Sequence, residues 1–179
     1  MHPEHGCGCA AGAGADGTAN RYRDLLAGKH QATLLRTPFE LLAQERGYRQ
    51  LALGDSLGAY QGTAGIARRS WAREHEAALT GFIRAYRSGV DWLYERANRD
   101  IVEAMLVANS RDMTPALARQ SCALLLADKG GNARELAIDP AGMRTVLELR
   151  SKYGMPQKTL TDAAKYIDMT YRDKAFGNR

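Results

Sequence analysis

Residues 33–53, "TLLRTPFELLAQERGYRQLAL", decide how the rest of the chain is read. A short apolar run, Leu34 and Leu35, stops at Thr37-Pro38-Phe39. A helix-like stretch follows, Gly47 ends it, and a second apolar run begins at Tyr48. Strand, helix and strand in that order form the repeating unit of an α/β sheet. Thr37 reads as a helix N-cap, Pro38 as the first helical residue, and Glu40 as the capping-box partner three positions on. Phe39 has two readings. It is an apolar plug closing a turn, or it is the rim of a ligand cleft beyond the carboxyl end of a strand.

Working outward, "QATLL" (31–35) reads as the first strand, "YRQLAL" (48–53) as the second and "GTAGIA" (62–67) as a third. Ahead of them Thr18 caps a short helix with Tyr22, Leu25 and Leu26 on one face, and Gly28 stops it. From Ser70 the pattern turns helical. Leu79, Phe82, Ile83, Tyr86, Val90 and Leu93 recur at three- and four-residue spacing, which predicts one buried stripe. Asn98–Asn109 follows, with Ile101, Met105 and Leu106 facing inward. Thr114-Pro115 opens the next helix, which Gly130-Gly131 breaks. Asp139-Pro140 opens the last, with Met143, Val146, Leu147 and Leu149 apolar, and Gly154 closes it. Residues 155–179 read as a polar tail that wraps a surface. Two or three strands make a poor sheet unless helices cover both faces, so the sheet looks incomplete.

With 179 residues and 45% apolar composition, the chain can build a core. Its net charge of +5 is spread along the sequence, which argues against nucleic acid as a partner. No run approaches the roughly 18 apolar residues of a membrane span, and no signal peptide is encoded. Residues 1–15 read as a flexible leader. Cys7-Gly8-Cys9 with His2 and His5 has the donors of a metal site but no structure behind them, so no metal is assigned. Cys122 reads as a small buried apolar residue.

Catalytic patterns are absent: no nucleophile elbow, phosphate-binding loop or zinc-protease motif occurs. His30 and His75 have no acid–base partner in the sequence pattern, and no cofactor is implied. An enzyme is not expected. Binding is: helix N-termini present free N–H groups and a positive dipole end, suited to an anionic or polar ligand head. The candidate ligand-binding residues are Gly17 and Thr18, then Thr37, Pro38 and Phe39, then Tyr60 and Gln61 beside the third strand.

These segments, "GTANRYRDLLAGKHQATLL", "TPF", "YQGTAGIARRSW", "FIRAYRSGVDWLYERANRD", "IDPAGMRTVLELRSKYG" and "LTDAAKYIDMTY", resemble in order the substrate-binding proteins of ABC importers. The similar group is the nitrate/sulfonate/taurine and thiamine-precursor one, and the likeness spans about residues 16–175. Members are about twice as long, with two lobes around a cleft. The resemblance implies an α/β fold, type II periplasmic-binding-protein-like, truncated and helix-rich with a small residual sheet. It divides the chain into a leader (1–15), a partial second lobe (16–66), and a return crossing with C-terminal helices (67–179). The chain then resembles the C-terminal portion of such a protein.

The resemblance further implies a solute-binding component without catalysis. Its partners would be a small organic or anionic solute and the transporter permease, and its location periplasmic; with no signal peptide in the sequence, a true start at Met1 would instead imply the cytoplasm. It places Thr37, Pro38 and Phe39 on the cleft loop of the second lobe, with Gly17 and Thr18 pointing into it and Tyr60 and Gln61 near the return crossing. Phe39 would then be partly exposed, and unpaired strand edges would favour self-association. The alternative is a helical interaction or structural protein that keeps part of the fold without a ligand. A pyrimidine-precursor enzyme would need a His/Cys constellation, which His30, His75 and Cys122 do not form by spacing.

Overall fold

A computed structural model describes residues 17–52, 58–127 and 133–177. The leader, Gly130-Gly131 and residue 53 of the second expected strand lie outside the described residues. Eight α-helices are described: α1 (Thr18–Leu26), α2 (Phe39–Glu45), α3 (Arg69–Glu74), α4 (Glu76–Tyr94), α5 (Arg99–Asn109), α6 (Pro115–Leu125), α7 (Pro140–Tyr153) and α8 (Thr170–Phe176). Short 3-10 turns cover Arg96–Asn98 and Ala164–Tyr166.

The expected α/β fold with a residual sheet is corrected: the described residues contain no strand. Residues 31–35, 48–52 and 62–67 take neither helix nor strand, and no ladder joins any of them. The physical reason is pairing. A strand's N–H and C=O groups need a neighbour, and an isolated apolar segment cannot supply one. Leu34, Leu51 and Ile66, the centres of the three expected strands, are 82%, 83% and 97% exposed.

The chain divides into two units, each built from separated stretches. The first takes residues up to 50 together with 100–131; the second takes 51–99 together with 132–179.

In the first unit, Tyr22 and Leu25 of α1, Leu42 and Ala43 of α2, Met113, and Leu117 and Ala118 of α6 form one apolar core. Leu26, Leu35, Phe39, Leu41 and Leu106 pack against it. Helix α6 begins as its sequence requires: Thr114 Oγ1 accepts the Leu117 N–H at 3.2 Å and Pro115 fills the first turn, where no N–H is needed. Gly28 (φ 70°) lets α1 end, its N–H donating to Leu25 O at 3.0 Å. Tyr48 reaches back to donate its hydroxyl to Leu25 O at 3.2 Å. On α5 the inward set differs from expectation: Val102 is buried and Leu106 meets the core, but Ile101 and Met105 are exposed.

In the second unit, α8 packs along α4. The tail expected to wrap a surface thus contributes a helix, and its Ala175 is buried. Of the expected stripe on α4, Val90 is buried and Leu79, Ile83 and Leu93 are partly buried, but Phe82 and Tyr86 are 65% and 57% exposed, and Thr80, outside the stripe, is buried. Burying Thr80 is tolerated because its hydroxyl donates to carbonyls of its own helix, Glu76 O at 2.9 Å and Ala77 O at 3.2 Å. Charge completes this face. Arg87 pairs with Asp91 at 2.9 Å and Glu135 at 3.0 Å, and Arg172 donates to the Glu135 carbonyl at 2.8 Å. The Phe176 ring lies against both guanidinium groups, 5.3 Å from Arg87 and 4.9 Å from Arg172. Lys174 meets Glu76 at 2.8 Å. Docking α8 therefore uses the side of α4 that carries Glu76 and Arg87 and leaves Phe82 and Tyr86 outward.

Candidate functional site

The residues expected to bind a ligand fall in both units: Gly17, Thr18, Thr37, Pro38 and Phe39 in the first, Tyr60 and Gln61 in the second.

Gly17, not Thr18, is the N-cap of α1; with φ at 85°, it holds a conformation that glycine adopts without penalty. Thr18 is already helical, and its hydroxyl accepts from Arg21 Nη2 at 3.1 Å. At α2 the expected cap is displaced by one. Pro38 occupies the N-cap position, no side chain caps the helix, and the Thr37 hydroxyl donates to the Glu40 carboxylate at 2.5 Å. The capping-box residues meet, but side chain to side chain. Phe39 is half-buried, with its ring 5.5 Å from that of Tyr22 against the core. Phe39 packs on the core of its own unit, the contact that the plug reading expects.

Gln61 is spent on structure. Its side-chain oxygen accepts the Asp139 N–H at 2.9 Å and its amide donates to Thr63 O at 2.6 Å. Asp139 in turn caps α7, accepting the Ala141 N–H at 2.9 Å. Tyr60 stands half exposed beside them.

The sequence reading missed a groove. It has a volume of about 530 Å³ and is lined by Ile66, Ala67, Arg68, Ser70, Trp71 and Glu74, all within the second unit. Trp71 and His75, four apart across the end of α3, stack with ring centroids 5.0 Å apart and planes 8° from parallel. His75 Nδ1 lies 3.1 Å from Trp71 O, so the tautomer with its proton on Nδ1 donates there. Arg69 is turned away, donating to Lys165 O at 3.0 Å. The signal was present in "ARRSWAREHE", where an aromatic and a histidine at four-residue spacing sit among arginines. Reading His75 alone hid the pair.

A second exposed feature is the Phe82–Tyr86 pair on α4, one turn apart, with ring centroids 6.1 Å apart. Among the described residues, no group of three or more His, Cys, Asp or Glu side chains is placed to hold a metal ion. No described helix is long and apolar enough to cross a membrane. Compared with known proteins, the chain matches no family model, no curated protein and no solved structure.

Proposed function

We propose that the chain is a helical interaction protein that self-associates through the aromatic side of α4. The observation that carries this reading is the Phe82–Tyr86 pair: two adjacent rings, 65% and 57% exposed, midway along the longest described helix. Single exposed apolar residues are ordinary, but neighbouring aromatic rings on one helix face are the composition of interface centres. Gly81, Ala85 and Gly89 border the pair, so the same side of a second copy can approach closely. The interface between two copies is isologous, each ring pair meeting its counterpart. Sedimentation velocity over a hundredfold concentration range tests it. A dimer that forms with concentration and is lost in a Phe82→Ser/Tyr86→Ser double variant is expected. A wild-type monomer at every concentration overturns the reading.

The solute-binding reading keeps one support, the ordered likeness of its segments to the importer-binding proteins. A saturable rise in melting temperature with nitrate, an alkanesulfonate or a pyrimidine would favour it, because a ligand that binds only the folded state stabilises that state.

A further inference from the structure

The groove before and along α3 is lined by two exposed charges of opposite sign. Arg68 and Glu74 both line it, and among the described residues neither side chain has a hydrogen bond or an ion pair. Between them in sequence stands Trp71, 42% exposed with its partner His75 stacked on it. Ile66, 97% exposed, contributes an apolar wall. A cation, an anion and an open indole within one groove make a specific demand. The occupant must present a flat ring, an anionic group and an N–H donor together.

We propose that this groove binds a nucleotide whose base carries an exocyclic amine, the base lying on Trp71, the amine donating to Glu74 and the phosphate meeting Arg68. Stacking on an aromatic side chain removes indole and base from water, and any base offers such a face. His75 pre-orders the indole by fixing one of its faces, so less side-chain freedom is lost on binding. The guanidinium fork matches phosphate oxygens in pairs. An acidic peptide would satisfy Arg68 but would leave the indole uncovered and would meet repulsion from Glu74. One phosphate subsite is all the groove supplies, since Arg69 is committed to Lys165 O. That favours a free nucleotide over a strand.

Calorimetric titration of the whole chain with AMP tests the proposal, with adenosine, ribose 5-phosphate and UMP beside it. AMP should bind saturably. Adenosine lacks the phosphate and ribose 5-phosphate the base, so each should bind at least about tenfold more weakly, the factor that ~1.4 kcal/mol represents. UMP, without the amine, should be weaker than AMP in the wild type and no weaker than AMP in Glu74→Gln. Arg68→Ala and Trp71→Ala should each weaken AMP about tenfold or more. Arg68 is exposed and unpaired, so its variant tests the site even if Trp71→Ala unfolds. In a Trp92→Phe background, AMP should quench the remaining indole. An eight-residue deoxyadenosine strand that binds no tighter than AMP assigns the base to a free nucleotide; one that binds tenfold tighter assigns it to a strand. No saturable binding of AMP, unchanged affinity in Arg68→Ala, or equal binding by a hexaglutamate peptide would overturn the proposal.

Discussion

The Asp139 backbone N–H donates to the Gln61 side-chain oxygen at 2.9 Å, across 78 positions of sequence. This bond seats the Tyr60–Gln61 segment on the first turn of α7, directly over Gly142. A Cβ on Gly142 would lie 2.7 Å from Gln61 N and 2.9 Å from Tyr60 C, both backbone atoms that cannot swing aside. Alanine normally favours a helix over glycine by about 1 kcal/mol. Here the clash costs about 1–3 kcal/mol, the range for overpacking, and outweighs that gain. Gly142→Ala should therefore lower the urea midpoint. A raised midpoint would show that the segment lifts off freely.

Phe176 should act as the clasp of α8. Its contacts with two guanidinium groups are worth roughly 0.5–1 kcal/mol each at such partly exposed sites. Phe176→Ala should lower stability by about 1–2 kcal/mol on that basis. Amide exchange should quicken in α8 while the α1, α2 and α6 core keeps its protection. Equal exchange in α8 before and after substitution would assign its docking to the Arg87–Glu135–Arg172 links alone.

Tyr22 carries a buried hydroxyl with no hydrogen-bond partner. Burial raises its pKa above the ordinary 10.0, with Asp112, Glu45 and Tyr48 adding to the rise, while the Arg46 guanidinium over its ring opposes it. A raised folded value means the protonated form is the one the fold holds. Its contribution is complete below pH 10.0 and lost as pH climbs through the folded value. Tyr22→Phe removes an unpaired polar group, so at neutral pH it should be neutral or stabilising by up to about 1 kcal/mol. It should also flatten alkaline unfolding above pH 10.0, measured by circular dichroism.

Asp168 sits just ahead of α8. Hydrogen bonds from Thr170, hydroxyl first and backbone N–H second, hold its pKa below the usual 3.8. The backbone bond measures 3.0 Å. A depressed folded value stabilises the fold above pH 3.8 and is lost as pH falls through the folded value. Acid should therefore loosen α8 below that pH. Asp168→Asn should remove this part of the acid dependence, and an acid limb identical in both proteins would contradict it.

Phe82→Ala measures where the apolar stripe of α4 points. A buried ring would cost about 3–5 kcal/mol. At 65% exposure the cost of unfolding the monomer should stay within about 0.5 kcal/mol. A dilute sample, monomeric by sedimentation, is the condition for reading it. A loss of several kcal/mol there would restore the buried stripe.

Helices α6 and α7 were legible because their signals are local. Thr114 with Pro115, Asp139 with Pro140, and the glycines after α1 and α7 act within one turn of their own positions, and α6 and α7 start where those residues place them. The expected strands at 31–35, 48–52 and 62–67 were not, because apolar β-type residues state only that a segment suits a sheet, and a sheet needs partners. Which side of α4 is buried was equally beyond the sequence. Leu79, Phe82 and Tyr86 make the more apolar line, yet α8 docks on the side where Arg87, Asp91 and Glu135 can pair. The groove is a local feature: Trp71 and His75 stand four apart, and Arg68 and Glu74 stand three positions to either side of Trp71. The starts of α6 and α7 were thus fixed by short-range hydrogen bonding at Thr114 and Asp139. The absence of strand pairing among the described residues and the buried face of α4 were decided by tertiary packing, where long-range contacts compete and the most apolar face does not always win.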